Sequence, residues 1–153
     1  MNVGISYNPP KNLVGKPDDL LATLSLPKQP VDAHKETLAG FSYEIVKKLS
    51  IMTQIDEITI CQLANISCVS FTKRKIQSKN VLSSEQSMRL YVFIRTLDAT
   101  QQLFNGDVST AIRWLKSPSR ALGDESPIEM LSTPPGIEAV MDLIGQIKHG
   151  IIP

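Results

Sequence analysis

The sequence has few of the residue types, and none of the spacings, that common catalytic and metal sites require. Its 153 residues include two cysteines, two histidines and one tryptophan, and aromatic residues make up only 5%. Cys61 and Cys68 have no histidine near them in sequence, so they fit neither a zinc motif nor a disulfide framework. No nucleophile elbow, phosphate-binding glycine loop or paired-carboxylate signature is present. These absences predict a protein that is not an enzyme and that holds neither metal nor cofactor.

Long apolar runs are also missing. No stretch approaches the roughly 20 apolar residues of a membrane span, and the first residues, MNVGISYNPPKN, lack the layout of a signal peptide. We therefore expect a cytoplasmic protein without membrane contact. With 42% hydrophobic and 20% charged residues, the chain is long enough for one sizeable core and an appended segment.

Proline is absent from residues 41–117, whereas residues 1–40 contain five. The first 40 residues thus differ in composition from the rest and are expected to form an arm that is flexible or ordered by a partner. Within this arm, residues 18–26 read DDLLATLSL and predict a short helix of about two turns, because prolines flank it.

The proline-free body predicts an all-α fold. Apolar residues recur at helical spacing over residues 42–52 and 84–104. Ser83 and Gln86 form a capping box for the second of these helices, and Thr133 precedes the two prolines that start the last helix. The expected inner faces are Phe41, Ile45, Val46, Leu49 and Met52; Leu90, Phe93, Ile94, Leu97 and Phe104; and Ile137, Val140, Met141, Ile144 and Ile147.

Between the first two helices, the stretch IDEITICQLANISCVSFTKRKIQSK has the spacing of a helix-turn-helix. Asp56 can cap the first helix, and Cys61 is the small residue that a close helix crossing needs. Asn65 tolerates the positive φ of the turn, and Ile66 fills the angle between the helices. A helical hairpin in a plain bundle is the alternative interpretation.

The charge distribution supports a nucleic-acid contact in the same stretch. Residues 41–97 carry eight basic and four acidic residues, and no acidic residue occurs from Ile58 to Ser84. A basic surface of this kind suits a polyanion, although a solvated basic face is the simpler alternative. The candidates for base or phosphate contacts are Ser67, Cys68, Ser70, Thr72, Lys73, Arg74, Lys75 and Lys79.

The segment WLKSPSRALGDESPIEMLSTPPG, from Trp114 to Gly136, holds the only tryptophan and four of the ten prolines. Prolines at first helical positions predict that this elbow redirects the chain twice before the last helix. Trp114 itself is interpreted as either a core residue or a partner contact.

Residues 104–150 closely resemble the toxin-binding domain of the Xre/MbcA/ParS antitoxins, in the order FNGD, AxxWLxxP, ALG, PxExLxTxxG and VxxLIGxIxxG. Upstream, NISCVSFTKRK and LSSEQSMRL are similar to that family's helix-turn-helix and to the start of its central helix. Where the family commonly has glycine, this chain has Asn65 and Asp124, and Val69 stands where an arginine is frequent.

The resemblance implies an antitoxin of a type II toxin-antitoxin system with three regions. Residues 1–40 would be the arm, 41–103 the DNA-binding region with residues 53–80 touching operator DNA, and 104–153 the toxin-binding domain. The implied partner is a cognate RES-type toxin, which consumes NAD by hydrolysis or ADP-ribose transfer. The implied assembly is a homodimer within a larger toxin-antitoxin complex. The toxin-binding residues would be Trp114 and the tail, formed by Lys148, His149, Gly150, Ile151, Ile152 and Pro153.

A different class of protein is also compatible with the motifs. It is a stand-alone helix-turn-helix transcriptional repressor with a C-terminal dimerisation domain and no toxin. Removal of the tail discriminates between the two hypotheses.

Overall fold

A computed structural model describes residues 19–66 and 81–151. The regular secondary structure of these residues consists of helices joined by turns and loops, without strands. The all-α fold expected from the sequence is confirmed. None of the helices in these two ranges has the length and apolar character needed to cross a membrane. The α-helices are α1 Leu20–Thr23, α2 Pro30–Ala39, α3 Glu44–Thr53, α4 Glu57–Leu63, α5 Ser84–Leu103, α6 Val108–Lys116, α7 Pro127–Met130 and α8 Pro134–Lys148, with a 3₁₀ turn at Arg120–Leu122.

The chain packs as two compact units. The N-terminal unit lies within Leu21–Thr96, and the C-terminal unit comprises residues 97–151 together with residues 19 and 20. The long helix α5 contributes to both units because the division falls after Thr96.

The core of the N-terminal unit is built from one face each of α3, α4 and α5. In α3 the inner residues are Val46, Leu49 and Thr53. Met52, predicted to face inward, is 37% exposed; Thr53 takes the inner position and its hydroxyl donates to the Leu49 carbonyl at 2.7 Å. The buried apolar side chains of this core are Phe41, Tyr43, Val46, Leu49, Ile60, Cys61, Ala64, Ile66, Leu82, Leu90, Phe93 and Ile94.

Residues 19–40 differ from the arm expected from composition, since the structure places them in two helices with buried leucines. Leu21, Leu24 and Leu26 are no more than 7% exposed. The prolines limit the helices rather than prevent them: Pro27 follows α1, and Pro30 occupies the first position of α2, where its missing N–H has no partner to lose. The three closely spaced leucines thus bury the apolar side of this segment.

Gly40 joins α2 to the core by a close backbone approach. Its φ is 93°, and a Cβ atom here would lie 2.4 Å from the Leu82 carbonyl oxygen and 2.7 Å from Cγ1 of Val81. The next residue, Phe41, accepts a hydrogen bond from Leu82 N at 2.8 Å and donates its own N–H to Ser87 Oγ at 2.8 Å. Only glycine fits this position without movement of the 81–82 segment.

The C-terminal unit packs α6, the elbow and α8 around one apolar cluster. Its buried members are Leu122, Val140, Leu143 and Ile144. The predicted inner residue Ile147 is instead 38% exposed, and Leu143 takes its place in the core. The half-buried hydrophobic side chains against this cluster are Ala99, Leu103, Trp114, Met130, Leu131, Ala139 and Met141.

The elbow is held by a tight loop and a close helix contact. Ser119 N donates to Glu125 O at 3.0 Å, and Asp124 N donates to Ser119 O at 2.9 Å. Gly123 and Asp124 have φ values of 68° and 69°, so the aspartate adopts the left-handed conformation that glycine takes most readily. Gly136 lies in the first turn of α8, where an added Cβ would meet the Met130 carbonyl oxygen at 1.9 Å.

Candidate interaction surfaces

The turn after α4 has the geometry that the helix-turn-helix interpretation requires. Asn65 has a φ of 60°. Its N–H donates to Gln62 O at 3.1 Å, and Ile66 N donates to Cys61 O at 2.8 Å. This pair of bonds is a Schellman ending, in which the residue after the left-handed one makes an apolar contact. Ile66 is that residue and is only 5% exposed.

The start of α4 is fixed by Asp56. Its carboxylate accepts from the Thr59 N–H at 3.3 Å and from the Thr59 hydroxyl at 2.6 Å. The hydroxyl bond is the largest cause that lowers the pKa of Asp56 below its ordinary value. Asp107 repeats this arrangement with Thr110 at the start of α6. The predicted capping role of Asp56 is confirmed.

Arg89 ties the turn to α5, a role that the sequence analysis did not identify. Its guanidinium donates to the Asn65 carbonyl at 2.9 Å and to the Glu85 carboxylate at 2.8 Å. The spacing of Glu85 and Arg89, four residues apart on a helix, is the signal that predicts the ion pair. No local signal predicts the bond to Asn65, because it spans 24 residues.

The eight predicted DNA contacts, Ser67, Cys68, Ser70, Thr72, Lys73, Arg74, Lys75 and Lys79, all fall in residues 67–80, outside the described residues. They stay predictions. The structure describes the helix and turn that precede them: α4, its cap, the left-handed Asn65 and the buried Ile66.

The C-terminal end of α8 has a second Schellman ending, but here the residue after the left-handed one is exposed to solvent. Gly150 has a φ of 76°; its N–H donates to Ile147 O at 3.1 Å, and Ile151 N donates to Gln146 O at 2.8 Å. The residue equivalent to Ile66 is therefore Ile151, which is 57% exposed rather than buried. The same backbone device thus presents an isoleucine to solvent.

Two exposed isoleucines and two polar side chains surround this helix end. Ile147 and Ile151 are four positions apart, and Lys148 and His149 lie exposed between them. The other predicted tail residues, Ile152 and Pro153, fall outside the described part of the chain.

Trp114 lies apart in sequence from the tail and is half-buried. It packs against the cluster that contains Leu122 and Val140. The structure therefore gives Trp114 a core contact, and its role as a partner contact stays a prediction. Within residues 19–66 and 81–151, no group of three histidine, cysteine or acidic side chains is placed to hold a metal ion.

A family model matches a segment of the C-terminal unit, and three relatives match most of the chain. The model for the antitoxin Xre/MbcA/ParS C-terminal toxin-binding domain matches residues 99–150. A protein named Antitoxin Xre from Yersinia enterocolitica is 34% identical over 112 residues, 73% of this chain and 75% of that protein. Antitoxin Xre from Photorhabdus laumondii is 36% identical over 113 residues, 74% of this chain and 76% of its own.

A third relative, Antitoxin Xre from Pseudomonas putida, is 26% identical over 136 residues, 86% of this chain and 81% of that protein. The first two relatives exceed 30% identity over about three quarters of both chains. The chain therefore belongs to the Xre/MbcA/ParS family of antitoxins, the neutralising members of toxin-antitoxin systems.

Proposed function

We propose that the C-terminal unit binds and silences a cognate toxin through the end of α8 and the tail that follows it. The observation that carries this proposal is the pair of exposed isoleucines, Ile147 and Ile151, within and beside the region matched by the toxin-binding model. Apolar side chains that are solvent-exposed in one chain commonly become the buried anchors of a protein interface.

The proposed toxin is of the RES type and consumes NAD by hydrolysis or ADP-ribose transfer. In this proposal the tail, residues 148–153, covers the active-site cleft of the toxin and prevents NAD from entering. Neutralisation is stoichiometric, so it needs tight binding and no chemistry by this chain. The protein acts in the cytoplasm, where the toxin and the operator both lie.

The first test compares full-length protein with a form truncated after Gln146. Both are co-expressed with the toxin from the neighbouring reading frame, and growth and cellular NAD are measured. We expect only the full-length protein to restore both. If the truncated form restores growth and NAD equally well, another surface of the protein inhibits the toxin. If the protein from the neighbouring reading frame does not harm the cells, the stand-alone repressor is the better hypothesis.

A single substitution tests the same surface without removing backbone. Ile151→Asp places a carboxylate where we propose an apolar anchor, and Ile51→Asp makes the same change at an isoleucine that is 73% exposed in the N-terminal unit. We expect Ile151→Asp to weaken toxin binding by roughly a hundredfold, the size of a hot-spot loss. Ile51→Asp should bind the toxin normally. If both variants bind with unchanged affinity, Ile151 is not an anchor.

We also propose that the protein binds operator DNA as a homodimer through residues 53–80 and so represses its own operon. The support is the capped α4, the left-handed Asn65, and Arg89 holding the Asn65 carbonyl. These features fix the turn that precedes the segment whose sequence carries Lys73, Arg74 and Lys75.

The DNA proposal is tested by the salt dependence of operator binding. The slope of log K against log salt is negative, and Lys73→Ala with Arg74→Ala should reduce its magnitude by about 2, since each phosphate contact contributes about 0.9. Arg113→Ala with Lys116→Ala removes the same charge from exposed positions on α6 and is the matched control. If the slope changes equally in the two double variants, the change reflects the total charge of the protein, and Lys73 and Arg74 do not contact phosphate groups specifically.

A further inference from the structure

A groove of about 580 Å³ lies along α2 and α5 in the N-terminal unit, and the proposed DNA and toxin contacts do not use it. Two contacts fix the relative direction of the helices. Gly40, directly after α2, lies against Leu82, just before α5. The Tyr91 hydroxyl, further along α5, donates at 2.7 Å to the carbonyl of Pro27, which precedes α2. The two helices therefore run antiparallel, with the end of α2 beside the start of α5.

The charged side chains that line the groove are separated by sign along α5. Glu85 lies in the first turn of this helix, and Arg95 lies ten residues later, about 15 Å along the helix axis. Because the helices are antiparallel, Lys28, just before α2, lies at the same end of the groove as Arg95. One end of the groove is therefore acidic and the other is basic. The other charged side chains of α2 are exposed outside the lining, apart from the imidazole of His34 within it: Asp32, Lys35 and Glu36.

Apolar side chains and hydroxyl groups line the space between the two charged ends. Leu38 is 62% exposed and Met88 is 48% exposed, so both would gain buried area from an apolar occupant. Thr37 and Ser84 add hydroxyl groups, which can donate to or accept from the amide groups of a ligand. The volume of the groove lies in the range of small-molecule sites, about 300–1,000 Å³.

Both charged ends retain capacity to bind a ligand. Arg89 donates to Oε2 of Glu85 at 2.8 Å, whereas Oε1 of Glu85 accepts no bond from the part of the chain that the structure describes. Arg95 forms no ion pair with any residue in 19–66 or 81–151. A ligand with one charge would be attracted to one end of the groove and repelled by the other. The lining therefore favours a ligand that carries an ammonium group and a carboxylate on opposite ends of an apolar body.

We propose that this groove binds a short free peptide with apolar side chains, its N-terminal ammonium group at Glu85 and its C-terminal carboxylate at Arg95. An extended chain spans about 3.3–3.6 Å per residue, so about three or four residues reach from one end to the other when both charged side chains extend inward. A single amino acid is too short to contact both ends. This binding activity is separate from the proposed toxin and DNA contacts.

Isothermal titration calorimetry with the full-length protein tests the assignment. The probe is the tripeptide leucyl-alanyl-leucine with free termini, and the comparison ligands are its N-acetylated form, its C-amidated form and free leucine. We expect the free tripeptide to bind, and each comparison ligand to bind roughly tenfold more weakly or less, because each can satisfy only one charged end of the groove.

Two variants test the ends of the groove separately. Arg95→Gln should weaken binding of the free tripeptide roughly tenfold but change binding of the C-amidated form little, since that form has no carboxylate to lose. Glu85→Gln should show the same difference between the free and the N-acetylated forms. The matched controls are Arg113→Gln and Glu129→Gln, exposed positions in the C-terminal unit, which should bind like wild type. Circular dichroism checks that each variant keeps its helices.

Three results would overturn the proposal. The first is a wild-type protein that does not bind the free tripeptide at millimolar concentration. The second is equal affinity for the free, N-acetylated and C-amidated forms, because the groove then does not recognise the termini. The third is an equal loss of binding in the groove variants and the control variants, which would reflect the total charge of the protein. All of these measurements omit toxin and DNA, so their failure leaves the proposed function standing.

Discussion

Gly136 lies in α8 against the backbone of the preceding helix, where no side-chain movement can make room for a methyl group. A Cβ would meet the Met130 carbonyl oxygen at 1.9 Å. We predict that Gly136→Ala lowers the free energy of unfolding by roughly 3 kcal/mol, at the upper end of overpacking costs. Urea denaturation measures the change.

The matched control is Gly145→Ala in the same helix. Nothing lies within 4 Å of a Cβ at Gly145, so alanine should stabilise the helix by about 0.5–1 kcal/mol through lower backbone entropy in the unfolded chain. An equal loss of stability in both variants would mean that the contact with Met130 is not the reason why Gly136 is sensitive to substitution.

Asp107 makes the stability of the fold depend on pH in the acid range. Hydrogen bonds from the Thr110 hydroxyl and N–H lower the pKa of this carboxyl below its ordinary value of 3.8. A group with a lowered folded-state pKa stabilises the fold above its ordinary pKa, and this stabilisation is lost as pH falls through the folded-state pKa. Asp107→Asn keeps a capping side chain without the titration. We predict that the melting temperature of the variant falls less than that of wild type between about pH 5 and pH 2. If the melting temperatures of variant and wild type fall in parallel with pH, the titration of Asp107 does not contribute to acid sensitivity.

At the scale of the helix, α5 shows how far a local pattern predicts structure. The predicted capping box is present: Gln86 N donates to Ser83 Oγ at 3.1 Å, and Ser83 N donates to Gln86 Oε1 at 3.3 Å. The helix spans Ser84–Leu103 where residues 84–104 were expected. Caps and turns depend on neighbours within a few residues, so sequence alone identifies them.

Packing faces were less predictable than helix ends. Ile147 and Met52 were expected inside and are exposed, whereas Leu143 is buried. An apolar stripe wider than the available contact leaves some of its members outside, and only the tertiary structure decides which. The leucines of α1 illustrate the same limit, because proline content suggested an arm and their burial depends on distant residues.

The capping box predicts a measurable contribution to stability. Ser83→Ala removes the acceptor for Gln86 N and should lower the free energy of unfolding by about 0.5–2 kcal/mol. Ser109→Ala, at an exposed position in the first turn of α6, is the control and should change stability little. Equal losses in urea denaturation would indicate that the Ser83 hydroxyl has no specific role.

The ending of α8 can be altered without touching its exposed side chains. Gly150 has a φ of 76°, and nothing lies within 4 Å of a Cβ there. Gly150→Ala therefore meets only the conformational cost of about 1–2 kcal/mol for a left-handed alanine. We predict weaker toxin binding, because the tail leaves the helix in another direction, and a loss in the free energy of unfolding of no more than about 1–2 kcal/mol in urea denaturation. Normal binding would show that the direction of the tail is unimportant.

For the whole molecule, the charges divide along the chain, with an excess of basic residues in 41–97 and seven acidic against four basic residues in 98–153. The two proposed activities use different residues. We predict that Lys73→Ala with Arg74→Ala loses operator binding but still protects cells, and that truncation after Gln146 does the reverse. Electrophoretic mobility shifts and growth measure the two activities. Loss of both in either variant would show that they are coupled.

The sequence identified some features of the proposed toxin and DNA contact sites and missed others. The sequence identified the tail by resemblance, and its exposed apolar end was then visible in Ile151. It did not identify Ile147 as an exposed residue, because helical spacing assigned it to the core. The bond from Arg89 to the Asn65 carbonyl could be found only in the three-dimensional arrangement.

Gly40 has a consequence for genetic screens that score survival against the toxin. With a Cβ position 2.4 Å from the Leu82 carbonyl oxygen and a φ of 93°, this residue tolerates almost no replacement. A saturation library would rank it among the most sensitive positions, although it has no side chain with which to contact a partner. Maps of essential positions in this protein therefore need a parallel measurement of soluble abundance before a sensitive residue is assigned to an interface.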